Sequence, residues 1–265
     1  GGLLRGWVAS MRGERKGNAP KVEKQIISFK NGLAELPQLL VAALGEAVHA
    51  NVSISSIQKI RAGWRVDWNG KTHIYDEVLL TTPAHALNKL PLDESLQKAL
   101  QPLLKINYSP VSVLTLAFKQ SDVDHPLDGF GVLVPEYEGR KILGVLFPAS
   151  LFASRVPAGE VLLTVFLGGE RQAELAVPDK DTLLATVLPE LKELFGTTGE
   201  PTFSHHRHWP RAIPQYNLGY GKMLAQMDAI EKKFAGLKLA GNYRDGISLS
   251  NCIEAAVSKE GHLTA

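Results

Sequence analysis

The sequence predicts a mixed α+β or α/β protein, in which a helix-covered mixed sheet accompanies a second region of short strands and helices. Four β-rich runs occur between residues 111 and 167, and one amphipathic helix follows them at Thr182–Phe195. Runs of strands followed by a helix are typical of a sheet with helical cover. Near the end of the chain, Leu237–Val257 has the pattern of a buried strand, a glycine-bounded loop and a helix.

The composition is that of a globular protein, long enough for one large or two modest domains. The 265 residues are 45% hydrophobic and 21% charged, with a formal net charge of +2. Basic residues barely outnumber acidic ones, so the sequence carries no electrostatic signature of nucleic-acid binding. No apolar run approaches the roughly 18 residues that cross a bilayer. The single cysteine, Cys252, indicates a reducing compartment, and we expect a cytoplasmic protein.

The first part of the chain predicts one helix and a set of short strands. Leu36, Leu40 and Leu44 follow helical spacing, and Pro37 fits the first turn of that helix. The pair Asn69-Gly70 between two β-rich runs is the strongest short signal of a hairpin. The predicted strands are Val52–Ile54, Ile57–Ile60, Trp64–Trp68, Thr72–Tyr75 and Val78–Thr82, and a helical turn is predicted at Ala84–Leu90.

The middle of the chain predicts a separate sheet. Its four strands are Val111–Phe118, Gly131–Val134, Ile142–Phe147 and Val161–Leu167. Because these strands are almost continuously apolar, both faces of the sheet must be covered, or one face must line a cavity. After the Thr182–Phe195 helix, with Leu183, Val187, Leu191 and Leu194 on one face, we expect an extended segment at Pro201–Trp209, a loop at Arg211–Gly221 and a helix at Leu224–Phe234.

The strand, loop and helix at Leu237–Val257 form a candidate anion site. Gly241 and Gly246 bound the loop, and Ser248, Ser250 and Asn251 are residue types that cap helix N–H groups. A glycine turn before a helix N-terminus suits a pyrophosphate. On this stretch alone, an ordinary strand, turn and helix is the alternative.

The sequence shows no catalytic side-chain constellation. His206 and His208 would share one face of a strand, but no further cluster completes a metal site, so none is predicted. Neither a Gly-x-Ser-x-Gly elbow nor a phosphate-binding Gly-Lys-Ser/Thr loop is present. Any catalysis is therefore expected to depend on a cofactor. From the residues alone, Phe130, Leu133, Leu146 and Phe166 fit core packing as well as ligand contact.

Several blocks resemble the protoporphyrinogen oxidase family, within the flavin amine oxidase superfamily. His208–Tyr216 matches a Trp-x-x-x-x-Pro-Gln-Tyr segment, and Gly241–Glu254 matches the glycine loop and the helix after it. Phe29–Leu33 resembles the start of a family helix. Three further blocks resemble strands of the family's substrate domain: Gly129–Pro135, Leu143–Phe147 and Thr164–Gly169.

The resemblance implies a two-domain flavin-amine-oxidase-like fold. Residues 1–88 and 204–265 would form part of an FAD-binding domain, and residues 89–203 a tetrapyrrole-binding domain with a mixed sheet. The residues implied to contact FAD are Ile57, Trp209, Gly241, Gly246, Ile247, Ser248 and Leu249. Those implied to line the tetrapyrrole cavity are Phe130, Gly131, Leu133, Leu146 and Phe166. The flavin would carry the chemistry, with a porphyrinogen and dioxygen as substrates.

The chain also departs from the family pattern. It contains no Gly-x-Gly-x-x-Gly fingerprint for the FAD diphosphate and begins at Gly1 without methionine, so we expect a piece of a longer protein. Tyr220 stands where relatives often have histidine. Residues 209–221 contain no cysteine, and we therefore expect FAD to bind non-covalently.

Several alternatives follow from the resemblance. Oxidation of protoporphyrinogen IX in haem biosynthesis is the leading hypothesis. Oxidation of coproporphyrinogen III, which uses the same fold, is the alternative reaction. A flavin amine oxidase and a non-catalytic tetrapyrrole-binding module are the other candidates. The resemblance also allows peripheral contact with the inner face of a membrane and a homodimer.

Overall fold

The computed structural model describes residues 26–263. The chain divides into a short unit that ends at Val52 and a large unit that begins at Ser53. The helices are α1 (Glu35–Leu44), α2 (Glu94–Leu100), α3 (Pro148–Leu151), α4 (Lys180–Phe195), α5 (Gly221–Lys233) and α6 (Leu249–Leu263). The strands are β1 (Ile54–Ile60), β2 (Gly63–Trp68), β3 (Lys71–Tyr75), β4 (Val78–Leu80), β5 (Tyr108–Lys119), β6 (Gly131–Leu133), β7 (Gly144–Leu146), β8 (Glu160–Gly168), β9 (Phe203–Pro214) and β10 (Leu237–Leu239). This mixture of sheets and helices agrees with the predicted fold class.

The three strands β1, β2 and β3 form an antiparallel sheet. The predicted hairpin is confirmed, because Asn69 and Gly70 connect β2 to β3 with φ angles of 50° and 71°. Positive φ at both turn residues matches the right-handed twist of the flanking strands. The two runs predicted at Val52–Ile54 and Ile57–Ile60 are one strand, β1, with an irregular register after Ile54.

The parallel strands β4 and β10 pair with each other at the centre of one hydrophobic cluster. Leu239 is paired with Leu80, and both side chains are buried. Trp64 of β2 is fully buried in the same cluster, where its indole nitrogen donates to the Ala235 carbonyl at 3.2 Å. The buried strand predicted before the glycine loop is thereby confirmed.

A five-stranded antiparallel sheet has the order β6-β7-β8-β5-β9. Side chains of β5 and β8 alternate between buried and half-buried positions along each strand. The buried set, which includes Leu114, Leu116 and Val165, packs with Leu183 and Leu191 of α4 in a second hydrophobic cluster. Helix α4 therefore covers one face of this sheet.

Helix α4 ends at Phe195, as predicted, but starts at Lys180, two residues before the predicted Thr182. The Asp179 carboxylate accepts hydrogen bonds from the backbone N–H groups of Asp181 and Thr182, which caps the first turn. Gly196 ends the helix in the left-handed conformation. Phe195 is buried where Leu194 was expected, because Phe195 continues the four-residue spacing of Val187 and Leu191.

The loop predicted at Arg211–Gly221 is wrong for its first four residues, because β9 continues to Pro214. The register between β5 and β9 shifts from Val111–Trp209 to Ser109–Ile213, so three residues of β9 bulge opposite Pro110. The sheet order places β9 at an edge, where a proline such as Pro210 costs no ladder hydrogen bond. The domain boundaries at residues 88 and 203 stay a prediction.

No helix within residues 26–263 is both long and apolar enough to span a membrane.

Candidate functional site

The face of the five-stranded sheet opposite α4 carries an apolar groove of about 510 Å³. In antiparallel sheets, directly paired residues point to the same face. One row across all five strands consists of Leu133, Gly144, Phe166, Val113 and Arg207. Leu133, Phe166 and Val113 of this row line the groove together with Trp209. The apolar strands therefore have one face covered by a helix and one that lines a cavity.

Three of the residues predicted to contact the substrate lie together in this groove. Leu133, Leu146 and Phe166 line it, and Leu133 is 88% exposed. Trp209, which was predicted to contact the cofactor, lines the same groove. Their roles in ligand binding stay predictions.

The remaining two predicted substrate residues have other positions. Gly131 pairs with Leu146, and a Cβ at Gly131 would stand only 2.9 Å from the Leu146 Cα. Gly131 therefore allows β6 to approach β7 closely. Phe130 is 50% exposed and is not one of the residues that line the groove. Its predicted contact with the substrate stays a prediction.

The loop between β10 and α6 is held by its own side chains. The Asp245 carboxylate accepts from the Gly241 backbone N–H at 3.2 Å. Gly246 has a φ of 112°, and a Cβ there would stand 2.7 Å from the Cβ of Asn251. Both glycines are thus required by the backbone, since a side chain is strained at positive φ and has no room at Gly246.

The start of α6 leaves backbone donors available. The Ser248 hydroxyl accepts from the Asn251 N–H at 3.1 Å, which caps the helix. Within residues 26–263, the N–H groups of Leu249 and Ser250 have no hydrogen-bond partner. The side chains of Ile247 and Leu249 are 44% and 48% exposed. A helix N-terminus with free N–H groups and exposed apolar neighbours suits a ligand that is both anionic and aromatic.

Two tyrosines that the sequence did not single out as site residues hold this loop. The Tyr216 hydroxyl donates to the Asn242 carbonyl and accepts from the Gly246 N–H at 3.1 Å. The Tyr220 hydroxyl donates to the Tyr243 carbonyl. Burial raises the pKa of both phenols, so they keep their protons at neutral pH and can donate. Their position in and just after the Pro-Gln-Tyr segment was the only feature of the sequence that could have indicated this role.

Ile57 lies apart from the groove-lining residues. It is buried in the first hydrophobic cluster, and it pairs with Val66 of β2. Its predicted contact with the adenosine end of the cofactor stays a prediction.

His206 and His208 of β9 form a polar network with Ser112 on the α4-covered side of the sheet. His206 Nε2 lies 2.8 Å from the Ser112 hydroxyl, which donates to the Ala176 carbonyl at 2.6 Å. Burial, with smaller contributions from His208 and His205, lowers the pKa of His206. In the described part of the chain, no three His, Cys, Asp or Glu side chains are grouped to hold a metal ion. The network therefore joins β5, β9 and the turn at Ala176.

A second, polar pocket of about 410 Å³ involves β9 near Arg211. Lys89 and His85 also line it, and the His85 ring is edge-on to Tyr108 with centroids 4.7 Å apart. Arg211 does not line the apolar groove.

Comparison with known proteins identifies the family to which this chain belongs. The family model of flavin containing amine oxidoreductases matches residues 5–258. The mitochondrial protoporphyrinogen oxidase of Nicotiana tabacum is 37% identical over 185 residues, which cover 68% of this chain and 37% of the relative. The coproporphyrinogen III oxidase of Staphylococcus aureus is 24% identical, over 89% of this chain and 50% of the relative.

The fold is also known from solved structures. A crystal structure of a protein from Exiguobacterium sp. 255-15 superposes with a TM-score of 0.73 at 22% identity, over 89% of this chain and 51% of that one. The chain belongs to the family of flavin-containing amine oxidoreductases. It spans about half the length of the curated relatives it matches, such as 47% of protoporphyrinogen oxidase 2 of Arabidopsis thaliana.

Proposed function

We propose that the whole protein is an FAD-dependent oxidase that converts protoporphyrinogen IX to protoporphyrin IX in haem biosynthesis, with dioxygen as the final electron acceptor. The observation that carries this proposal is the apolar groove that ends at Trp209. A porphyrinogen is a large, mostly apolar macrocycle, and an open apolar sheet face can bury one of its sides. The protoporphyrinogen oxidases among the relatives support the same substrate.

The residues at the start of α6 fit a flavin cofactor. The free N–H groups of Leu249 and Ser250 would face its anionic part, and Ile247 and Leu249 would contact its ring. Trp209 would contact the ring from β9. When bound, FAD supplies the hydride-accepting chemistry that no side chain of this chain provides.

We propose that FAD is bound without a covalent link. Residues 209–221 contain no cysteine, and the thiol of Cys252 lies 3.6 Å from the Gly246 carbonyl within α6 and its preceding loop. The chain also lacks the Gly-x-Gly-x-x-Gly fingerprint. We therefore expect these residues alone to bind FAD weakly or not at all, and stoichiometric flavin that survives their purification would contradict this.

The groove residues would bind the macrocycle and keep water from it. Phe166 and Val113 form its floor, Leu133 borders it at β6 and Trp209 at β9. Excluding water from the reacting carbon strengthens every electrostatic contact around it. A cytoplasmic location, contact with the inner face of a membrane and a homodimer stay predictions.

Coproporphyrinogen III is the second candidate substrate, because one relative carries that name. It differs from protoporphyrinogen by additional propionate groups, each of which needs a polar or cationic partner. All side chains that line the groove are apolar. This favours the substrate with fewer carboxylates.

Turnover by the whole protein tests both assignments. Each porphyrinogen is supplied in air, with and without added FAD, and the fluorescence of the product porphyrin is followed. We expect FAD-dependent oxidation with a higher kcat/KM for protoporphyrinogen. A higher kcat/KM for coproporphyrinogen would reverse the order, and turnover of polyamines alone would contradict both. Tight porphyrin binding without turnover would indicate a binding module.

A further inference from the structure

Strand β9 places one permanent positive charge beside the apolar groove. Arg207 is not itself among the groove-lining residues, but it is paired with Val113, which lines the groove and is itself paired with Phe166. By the alternation of a strand, Phe203, His205, Arg207 and Trp209 share this face of β9. Of these four, only Arg207 is charged at every physiological pH. The groove therefore has an apolar floor, and a cation lies next to its β9 edge.

The Arg207 guanidinium is held by Trp209. Its central carbon lies 4.6 Å from the centroid of the Trp209 ring, which is a cation–π contact. A guanidinium stacked on a ring keeps its N–H donors at its edges, where they can bind a carboxylate with two parallel hydrogen bonds. Within residues 26–263, no acidic side chain forms an ion pair with Arg207, and none of its guanidinium N–H groups has a hydrogen-bond partner.

We propose that Arg207 is a substrate-binding residue that pairs with a carboxylate group of the groove's ligand, a propionate if the ligand is the porphyrinogen of the proposed function, on which that identification rests. A flat apolar body would lie on Phe166 and Val113, and its acidic side chain would reach the β9 edge. One cation beside an apolar floor selects a ligand with an acid at one end. It also orients the macrocycle relative to Trp209.

A fluorescent probe tests the carboxylate contact without any porphyrin. Pyrenebutyrate is flat, apolar and carries one carboxylate, and its methyl ester has the same body without the charge. We expect the chain to bind the acid about tenfold more tightly than the ester, the ratio that one partly exposed charge-assisted contact supports. In R207Q this preference should disappear, while the affinity for the ester stays the same. R207K should keep part of it, because lysine retains the charge without the planar fork.

The matched control is R211Q, which removes the same charge from the same strand at the separate polar pocket. R211Q should keep the wild-type preference for the acid. Equal binding of acid and ester by the wild type, binding of neither, or a preference that persists in R207Q would overturn the assignment of Arg207. Because Arg207 is exposed, circular dichroism and the melting temperature should be unchanged in R207Q.

A second arm, with protoporphyrin and its dimethyl ester, separates this inference from the proposed function. If pyrenebutyrate and protoporphyrin are each preferred over their esters, and each preference depends on Arg207, the result supports both the carboxylate contact and the tetrapyrrole substrate. Arg207-dependent binding of pyrenebutyrate with no binding of protoporphyrin supports the carboxylate site and counts against a tetrapyrrole substrate. Protoporphyrin binding that is insensitive to R207Q and to esterification supports the groove and overturns the role of Arg207.

Discussion

The rings of Tyr216 and Tyr220 are stacked, with centroids 4.5 Å apart and planes inclined by 29°. Tyr216 follows β9, and Tyr220 directly precedes α5. Both hydroxyls donate to backbone carbonyls of the loop before α6. The stacked pair thus fixes the position of the loop that we propose contacts the flavin, using two residues that never touch the groove floor.

The substitution Tyr216→Phe should loosen that loop while keeping the stack. It removes the hydroxyl that bonds to Asn242 and Gly246, and each net hydrogen bond contributes about 1 kcal/mol. We expect the free energy of unfolding to fall by about 1–2 kcal/mol in urea titrations. Tyr137→Phe is the control, because Tyr137 is 83% exposed and should lose nothing. Equal effects of the two changes would contradict the role of Tyr216.

The substitution Gly246→Ala should disrupt the start of α6. Its φ of 112° is unfavourable for alanine, and the new Cβ would meet Asn251 at 2.7 Å. We expect a loss of about 2–3 kcal/mol in the free energy of unfolding, from strain and overpacking together. Gly139→Ala provides the comparison, since Gly139 has a φ of 65° and no atom within 4 Å of its Cβ position. That variant should lose only about 1 kcal/mol. A similar loss in both variants would mean that the contact with Asn251 is relieved at little cost.

Stability should decrease as the pH falls below the ordinary histidine pKa of 6.5. Burial lowers the folded-state pKa of His206 and also that of His85. Between the lowered folded pKa and 6.5, the unfolded chain binds more protons, so the free energy of unfolding rises with pH. The stabilisation is present above 6.5 and is lost as the pH falls towards the folded pKa.

Urea titrations from about pH 8 to about pH 5 measure this dependence. His206→Gln should flatten it, and adding His85→Gln should flatten it further. His205→Gln, on the opposite face of β9, is the control and should reduce the slope only slightly, because His205 is a minor cause of the lowered pKa of His206. A slope that is unchanged in the double variant would show that other groups are responsible.

The substitution Leu133→Glu should weaken porphyrin binding without unfolding the chain. Leu133 is 88% exposed but lines the groove, so a carboxylate there would be desolvated by a bound macrocycle. We expect at least a tenfold loss in affinity, about 1.4 kcal/mol, by fluorescence titration. Val177→Glu introduces the same charge at a residue that is 69% exposed and does not line the groove. The Val177→Glu variant should bind porphyrin as tightly as the wild type does. An equal loss of affinity in that variant would indicate long-range charge repulsion rather than an effect within the groove.

The sequence predicted those turns, strands and helices whose conformation is determined by the residue types within the segment itself. The Asn69-Gly70 turn requires positive φ at both residues, and that requirement is visible in the residue types. Strand β10 and the helix after Gly246 were predicted for similar reasons. The strands that were apolar on both faces predicted either cover on both faces or a cavity on one, and the structure has the cavity.

Relationships between distant segments could not be predicted in the same way. A loop was predicted from Arg211, but β9 is an edge strand, tolerates Pro210 and continues to Pro214. Arg207 was not singled out from the sequence, because only the register with Val113 places it beside the groove. Phe130 shared a motif with Gly131, yet motif membership does not determine where an exposed ring points.

The two faces of the five-stranded sheet differ in what completes them. On one side, α4 supplies the second layer of the hydrophobic core. On the other side, the layer is missing from the described chain, and a macrocycle seated on Phe166 and Val113 would itself serve as that layer. Ligand affinity and resistance to unfolding are then thermodynamically linked, and a ligand at a hundred times its Kd would stabilise the folded chain by about 2.7 kcal/mol. The substrate would behave as a removable part of the protein's interior.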